Sequence, residues 1–439
     1  MDKAFIKTFG CQMNEHDSSR IAEILKREGF EIIDRMNKAD LVIVNTCSVR
    51  ENPENKVYSI IGRLTIQKQK NPNLIIGICG CVAQQEGERI LKKRKAVDMV
   101  FGTDSIFNLP EMLDGVRKGN RVLFTEWLPR EKSVQNFIPS EELKTGIVEG
   151  FKGHIAITKG CNNFCSFCIV PMTRGRLVSR ELDNIIEEAK DLIGKGAKEL
   201  MLLGQNVNSY AAAKNGFYNL LKKLANLDGL CRLRFISPHP NDWNSDLSDL
   251  VAAENVICNQ IHLPFQAGAN RILKAMKRGH TAEEYLEKID YLQQKIPNIV
   301  LSTDIIVGYP SETDAEFQET LKIMKAVQFF PIYAFKYSPR PGTKAAQLID
   351  DVPLEVKQQR LEAVLTLQKS IQDRIFEAAI GKHYDIFIDG FHPKELGVMN
   401  GRTGGNISVS VRGQALKIGD IITVKITGRK QTSLIGEQI

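Results

Sequence analysis

Short runs of apolar residues alternate along the chain with stretches in which apolar side chains return every three or four positions. Strands and amphipathic helices produce these two rhythms in turn. Residues 4–9 read as a strand, and Ile21, Ile24 and Leu25 mark one face of a helix over residues 18–28. Residues 41–44 are continuously apolar, as a parallel strand covered on both faces should be. A helix after Pro53, a strand over 74–78, a helix from about Ala83 and a strand over 97–101 complete the series. This order predicts a doubly wound α/β domain over residues 1–118. Residues 119–146, with Trp127, Pro129, Gln135 and Pro139, keep no period and read as a linker.

A second, longer series follows. Strands are expected at 154–158, 199–203, 232–236, 260–263, 299–307 and 332–337, with helices at 182–192, 218–224, 282–292 and 316–327. Six βα units predict a partial (βα)6 barrel over 147–377, whose site lies at the strand carboxyl ends. A long helix over 354–379 closes it. Beyond residue 378 the pattern becomes short alternating strands at 383–388, 397–399, 407–411, 415–417 and 421–426, with the turn Gly401-Arg402-Thr403-Gly404-Gly405. That spacing predicts a small antiparallel β-barrel over 378–439, an architecture that often hosts oligonucleotides.

Composition agrees with a multidomain α/β protein. A length of 439 residues suggests about three domains at roughly 150 residues each. Apolar residues at 43% and charged residues at 25% exclude a disordered or fibrous chain. No apolar run reaches the roughly 18 residues of a membrane span, and Met1-Asp2-Lys3-Ala4-Phe5-Ile6-Lys7 lacks the core of a secretory leader. A cytosolic setting without membrane contact is therefore expected. The net charge of +7 suits an anionic partner such as nucleic acid and equally a lysine-rich solvated surface.

Nine cysteines in a reducing compartment call for metal or redox chemistry rather than disulfides. Cys11, Cys47 and Cys81 each follow a predicted strand and precede a helix, which sends them to one sheet edge. By spacing alone they are either a shared metal site or structural thiols. Cys79 shares a strand with apolar Ile76 and Ile78 and reads as packing, as do Cys231 and Cys258. Lys159-Gly160-Cys161-Asn162-Asn163-Phe164-Cys165-Ser166-Phe167-Cys168 sets three cysteines on one loop. Gly160, Asn162, Asn163 and Ser166 do not belong in an apolar core. Three thiolates so placed fit a four-iron cluster with one open iron, or a zinc ion completed by a distant ligand.

The Cys161-x-x-x-Cys165-x-Phe167-Cys168 pattern after the first barrel strand resembles the radical S-adenosylmethionine superfamily. The resemblance implies a 4Fe-4S cluster on Cys161, Cys165 and Cys168 whose open iron chelates the amino and carboxylate groups of S-adenosylmethionine, with Phe167 against the adenine. Leu203-Gly204-Gln205-Asn206 resembles the superfamily's methionine-amine motif, with Gln205 where an acid is frequent. Ile306-Val307-Gly308-Tyr309-Pro310-Ser311-Glu312 resembles its adenine-contacting segment. Gly204, Gln205, Asn206 and Gly308 are the implied cofactor contacts.

Thr8-Phe9-Gly10-Cys11-Gln12-Met13-Asn14, Asn45-Thr46-Cys47-Ser48-Val49-Arg50-Glu51 and Gly80-Cys81-Val82-Ala83-Gln84 extend the likeness over essentially the whole chain, to the methylthiotransferases. That family implies a second, auxiliary 4Fe-4S cluster on Cys11, Cys47 and Cys81, and a C-terminal TRAM-like RNA-binding barrel. It also implies two uses of S-adenosylmethionine: one methylates a sulfur on the auxiliary cluster, and another is cleaved to a 5′-deoxyadenosyl radical that removes hydrogen from the substrate. The Cys47 and Cys81 segments, Asn55-Lys56-Val57, and Leu203-Gly204-Gln205-Asn206-Val207-Asn208 most resemble the branch that acts on N6-dimethylallyladenosine beside the tRNA anticodon. Branches acting on a ribosomal-protein aspartate or on threonylcarbamoyladenosine are the alternatives, as is a non-catalytic RNA-binding iron–sulfur protein. Phe265 and Ala267 replace the Val and Ser frequent around Gln266 in the family. Implied partners are tRNA, an external electron donor and cluster-assembly or sulfur-supply proteins, for a monomeric enzyme. Arg402, Lys417, Lys425, Arg429 and Lys430, with Phe391 and His392 for stacking, are the expected RNA contacts of the last barrel. Lys92-Lys93-Arg94-Lys95 reads as a solvated helix end, and Arg174 and Arg176 as RNA or cofactor contacts or a structural ion pair.

Overall fold

The computed structural model describes residues 1–48, 51–129, 132–133, 137–138, 147–212 and 215–439, with the backbone alone at 51–55. Val49, Arg50, Gln135 and Pro139, and the side chains of Glu51 and Asn55, lie outside the described residues. The first sheet comprises β1 (Lys3–Thr8), β2 (Glu31–Ile32), β3 (Leu41–Thr46), β4 (Ile75–Gly80), β5 (Met99–Phe101) and β6 (Val122–Phe124). They run in the order β2-β1-β3-β4-β5-β6, each pair parallel. β3 is buried at every position. Helices α1 (Gln12–Arg27) and α4 (Leu109–Arg117) lay Ile21, Leu25, Met112 and Leu113 on one face. On the other, α2 (Glu51–Lys70) and α3 (Cys81–Lys93) lay Ile60, Leu64, Val82 and Ile90. The doubly wound domain is as expected. Its sixth strand comes from the segment read as linker: Val122-Leu123-Phe124 pairs with β5, so the sheet runs past residue 118. Three residues are too few to show a period.

The second unit has a short β7 (Val148–Glu149) antiparallel to β8 (Lys152–Ala156). β9 (Thr158–Lys159) and β10 (Val178–Ser179) pair across a long loop. β11 (Glu199–Leu203), β12 (Arg232–Phe235), β13 (Gln260–His262), β14 (Val300–Val307) and β15 (Ile332–Lys336) complete the expected six βα strands with β8. They form two parallel halves, β12-β11-β8 and β13-β14-β15, the first joined to residues 256–258 by Leu233 N to Val256 O at 2.7 Å and Cys258 N to Leu233 O at 3.0 Å. The helices are α5 (Val170–Thr173), α6 (Leu182–Gly194), α7 (Gly216–Ala225), α8 (Ser245–Ala253), α9 (Asn270–Ala275), α10 (Ala282–Lys295), α11 (Asp314–Val327) and α12 (Leu354–Glu377). The starts of α10 and α11 are set by capping boxes, Thr281 with Glu284 and Thr313 with Glu316. No helix among the described residues is long and apolar enough to cross a membrane.

β16 (His383–Phe391), β17 (Val398–Thr403), β18 (Ser408–Arg412), β19 (Ile421–Arg429) and β20 (Leu434–Gln438) form the closed barrel β16-β17-β18-β20-β19. One expected strand is corrected. Residues 415–417 form no strand, with a bend at Ala415 (φ +54°), and the fifth strand is β20, which closes the barrel by parallel pairing with β18. The barrel docks on the amino ends of the βα strands. Arg232 donates to Arg402 O at 2.8 Å and Asp385 O at 3.0 Å, and Arg234 to Thr403 O at 3.1 Å. Phe151 stacks on Phe387 at 4.5 Å, and Lys198 caps Gly419 O at 2.8 Å. Bonds from a charged donor to otherwise buried carbonyls make Arg232→Ala cost about 3 kcal/mol of docking. Amide hydrogen exchange should rise across β16 and β17 and stay unchanged in β3 and β4; unchanged exchange in the barrel would contradict this docking.

Candidate active site

The three clustered cysteines sit on an excursion that starts and ends in paired backbone, Lys159 opposite Val178 and Thr158 opposite Ser179. Gly160, at φ +78°, allows the tight entry: a Cβ there would lie 2.2 Å from Arg176 O. Gln205 Oε1 accepts from Gly160 N at 2.6 Å, and Cys161 N donates to Gly175 O at 3.2 Å. The middle of the loop is pinned from the far side of the barrel. Ser166 N reaches Met276 O at 3.0 Å, Ser166 Oγ meets Tyr309 Oη at 2.9 Å, and Ala345 N reaches Ser166 O at 2.8 Å. Arg278, buried at the end of the turn after α9, donates Nη1 to Cys165 Sγ at 3.3 Å and Nη2 to Pro264 O at 2.8 Å. Burial pushes the Cys168 thiol up to about 12 and raises Cys161 as well. Thiols in that state need a cation before they ionise.

Phe167 is half-buried against the barrel core. Gly204 lets the end of β11 close on Thr158, whose Oγ1 would stand 2.1 Å from an added Cβ. Asn206 binds Asp242 Oδ2 at 2.7 Å. Gly308, at φ +70°, accommodates Lys357 Cγ, 2.3 Å from where a Cβ would be, and donates its N–H to Glu312 at 2.6 Å. Around the strand carboxyl ends, Thr158 Oγ1, Asn163 Nδ2, Asn206 Oδ1, Gln266 Oε1 and Tyr337 Oη are buried without a protein partner. Buried polar atoms are ordinarily bonded, so this ring of donors and acceptors fits a polar ligand such as S-adenosylmethionine. Gln266 also holds a left-handed backbone, φ +70°.

In the first domain, Cys11 is the N-cap of α1, Cys47 follows β3, and Cys81 opens α3. β1 and β3 flank the point where strand order reverses, where open α/β sheets bind ligands. The thiols meet there. Cys47 hydrogen-bonds both Cys11 and Cys81, which, helped by the charge of Arg174, brings Cys11 and Cys81 down to about 6. The same contacts raise Cys47. Cys79, one step back in β4, packs with the core instead. Among the described residues no three His, Cys, Asp or Glu side chains are arranged around one point for a single ion. A four-iron cluster asks for something else, one thiol per iron.

Sequence reasoning missed the side chains that hold these loops. Asn45 Nδ2 donates to Asn14 O at 2.8 Å and Ser18 Oγ at 2.9 Å, Asn14 Nδ2 donates to Asn45 Oδ1 at 3.0 Å, and Thr46 Oγ1 donates to Cys79 O at 2.8 Å. Polar Asn14, Asn45 and Thr46 beside apolar runs were the available signal. Arg278, hidden in the basic turn Lys277-Arg278-Gly279-His280, gave none. The expected ambiguity at Arg174 ends in an ion pair with Asp17 at 2.7 Å, while Arg176 stands 5.2 Å over Phe164.

Two thiol triads, one on a doubly wound sheet and one on the first loop of a six-stranded βα barrel, place the chain among radical S-adenosylmethionine proteins. Residues 155–324 match the "Radical SAM superfamily" and residues 3–102 the "Uncharacterized protein family UPF0004". The chain has the fold of a radical S-adenosylmethionine methyltransferase, TsrM, from Kitasatospora setae, whose structure was solved with cobalamin and a [4Fe-4S] cluster bound. The TM-score is 0.59 and the identity 16%, over 79% of this chain and 77% of that one. It belongs to the tRNA-2-methylthio-N(6)-dimethylallyladenosine synthase family. It is 42% identical to the synthase of Pelotomaculum thermopropionicum over 99% of this chain and 97% of that protein, and 39% identical to that of Aquifex aeolicus over 99% and 98%.

Gly80, at φ +88°, turns the chain from β4 to Cys81, and a Cβ there would lie 2.4 Å from both Asn45 Oδ1 and Thr46 O. Gly80→Ala should therefore cost about 3 kcal/mol of stability. Gly29→Ala, at a similar φ of +86° with nothing within 4 Å, should cost about 1 kcal/mol. Denaturant unfolding of the two variants measures the difference, and equal losses would contradict the close approach at Gly80.

Proposed function

We propose that this chain is a radical S-adenosylmethionine methylthiotransferase that converts N6-dimethylallyladenosine beside the tRNA anticodon to 2-methylthio-N6-dimethylallyladenosine. Full-length identity of 42% to a synthase so named carries the reading. In it, Cys161, Cys165 and Cys168 hold the radical 4Fe-4S cluster, and Cys11, Cys47 and Cys81 the auxiliary one. When bound, the clusters and S-adenosylmethionine supply hydrogen removal at adenine carbon two and the methylated sulfur that takes its place.

The protein's own part is placement. Arg278 and the Gln205 amide fix the radical loop, and Phe167, Gly204, Asn206, Gly308 and the unpartnered Gln266 Oε1 line the cofactor side. The loop after Cys168 touches the first domain's strand ends, where Thr103 Oγ1 donates to Thr173 O at 2.9 Å and Lys159 pairs with Asp104. This contact brings the two triads to one seam, into which a flipped-out base must reach. In the last barrel, Arg402 pairs with Asp389 at 3.0 Å, Arg429 with Asp373 and Glu377 at 2.8 Å, and Lys430 with Glu395. Lys417, Lys425 and exposed Phe391 are then its first contacts with RNA. A monomer working in the cytosol, with an external electron donor and sulfur-supply proteins, completes the reading.

Replacing Cys161, Cys165 and Cys168 together by Ala should leave about half of the bound iron and abolish 5′-deoxyadenosine formation. Iron retained in full would overturn the ligand assignment. Mass spectrometry of tRNA nucleosides from cells with and without the gene should show the 2-methylthio nucleoside replaced by N6-dimethylallyladenosine. Unchanged tRNA, with methylthioaspartate lost from a ribosomal protein, would favour the alternative substrate.

A further inference from the structure

Asp17 and Arg174 come from different domains and meet beside the first-domain thiols. Asp17 lies in the second turn of α1, six residues after Cys11, and Arg174 caps α5, six residues after Cys168. Their N–O distance is 2.7 Å, and their side chains are 10% and 4% exposed. α5 packs against α3, the helix that Cys81 opens, which sets the charge of Arg174 near Cys81 and Cys11. A buried guanidinium has five donors to satisfy, and a single carboxylate does not use them all.

We infer that Asp17 and Arg174 are a positioning pair that sets the reduction potential of the auxiliary centre, Arg174 stabilising negative charge at Cys81 and Cys11 and Asp17 restraining that stabilisation. The inference rests on the proposed cluster at Cys11, Cys47 and Cys81. It goes beyond it in assigning a residue of the barrel domain to the electrostatics of the first domain's cluster. Adding an electron adds negative charge, so a nearby cation makes reduction easier and a nearby anion makes it harder. Because Arg174 follows the radical loop directly, the pair also ties the potential of one centre to the seating of the other.

The test uses the full-length chain with Cys161, Cys165 and Cys168 replaced by Ala, so that only the auxiliary cluster gives a signal. Its midpoint potential is followed by electron paramagnetic resonance during dithionite titration. Arg174→Gln should shift the potential negative by a tenfold change in the reduction equilibrium, about 59 mV for one electron. Asp17→Asn should shift it positive, and the double variant should lie between the two. Arg174→Lys, which keeps the charge, should stay near the parent value. Opposite shifts are the signature, because loosened packing has no reason to move the two single variants in opposite directions. Unchanged potentials at full iron occupancy, or shifts of the same sign, would overturn the role of the pair. If Arg174→Gln fails to fold, Asp17→Asn against Arg174→Lys decides: a positive shift in the former alone supports the pair, and its absence rejects it. A parent without any cluster signal would instead reject the ligand assignment at Cys11, Cys47 and Cys81.

Discussion

Buried charge between the first domain and the barrel is the constraint on which the rest of the molecule depends. Asp17 pairs with Arg174, Arg20 and Arg180 share Glu188, and Lys159 pairs with Asp104, all from side chains at most 14% exposed. Burying a charge costs several kcal/mol unless a partner is in place. Sliding one domain against the other would break three such groupings at once, so the seam has essentially one register. That register puts the sheet edge carrying Cys11, Cys47 and Cys81 against the loop carrying Cys161, Cys165 and Cys168. Apolar contacts among Met13, Phe137, Ile138, Ala156 and Val178 fill the same seam, but they are non-directional and would not by themselves choose a register.

Each triad is built the same way on a different scaffold. A parallel strand ends, a glycine with positive φ or a helix N-terminus turns the chain, and a thiol follows, held by polar side chains rather than by apolar packing. Asn14, Asn45 and Ser18 do this in the first domain, and Gln205, Ser166 and Arg278 in the barrel. Buried polar atoms without partners lie on both sides of the seam, at His16 and Ser48 in the first domain and at Thr158, Asn163 and Gln266 in the barrel, where a ligand rich in donors and acceptors is to be expected. Carboxyl strand ends supply both halves of the site, and the amino ends are left for structure. There Arg232 and Arg234 spend their donors on carbonyls of the last barrel. That barrel is thereby anchored on the face opposite the radical loop.

Charge alone does not show what the basic residues of the last barrel face. Arg402 pairs with Asp389 on the adjacent β16, Arg429 with Glu377 on α12, and Lys430 with Glu395 in the loop after β16. Lys92-Lys93-Arg94-Lys95 behaves as expected of a solvated helix end: Lys92 pairs with Glu88 one turn back, and Arg94 lies over Tyr58. The difference is range. Partners one helical turn away can be read from spacing, whereas partners on another strand depend on a register that no local pattern reveals.

The same distinction divides the whole protein. The order of strands and helices, the three units, the loop of Cys161, Cys165 and Cys168, and the placing of Cys11, Cys47 and Cys81 at strand ends were determined by the sequence alone. Periodicity and short spacing are local properties and survive without coordinates. The sixth strand of the first sheet and the closing strand of the last barrel were not legible, since both are recruited by long-range pairing. Nor were Arg278 beside Cys165, Asn45 beneath Asn14, and Arg174 reaching from the barrel to Asp17. These depend on which surfaces the two domains present to each other. Only the tertiary structure decides that, because a buried ion finds its partner in space and not along the chain.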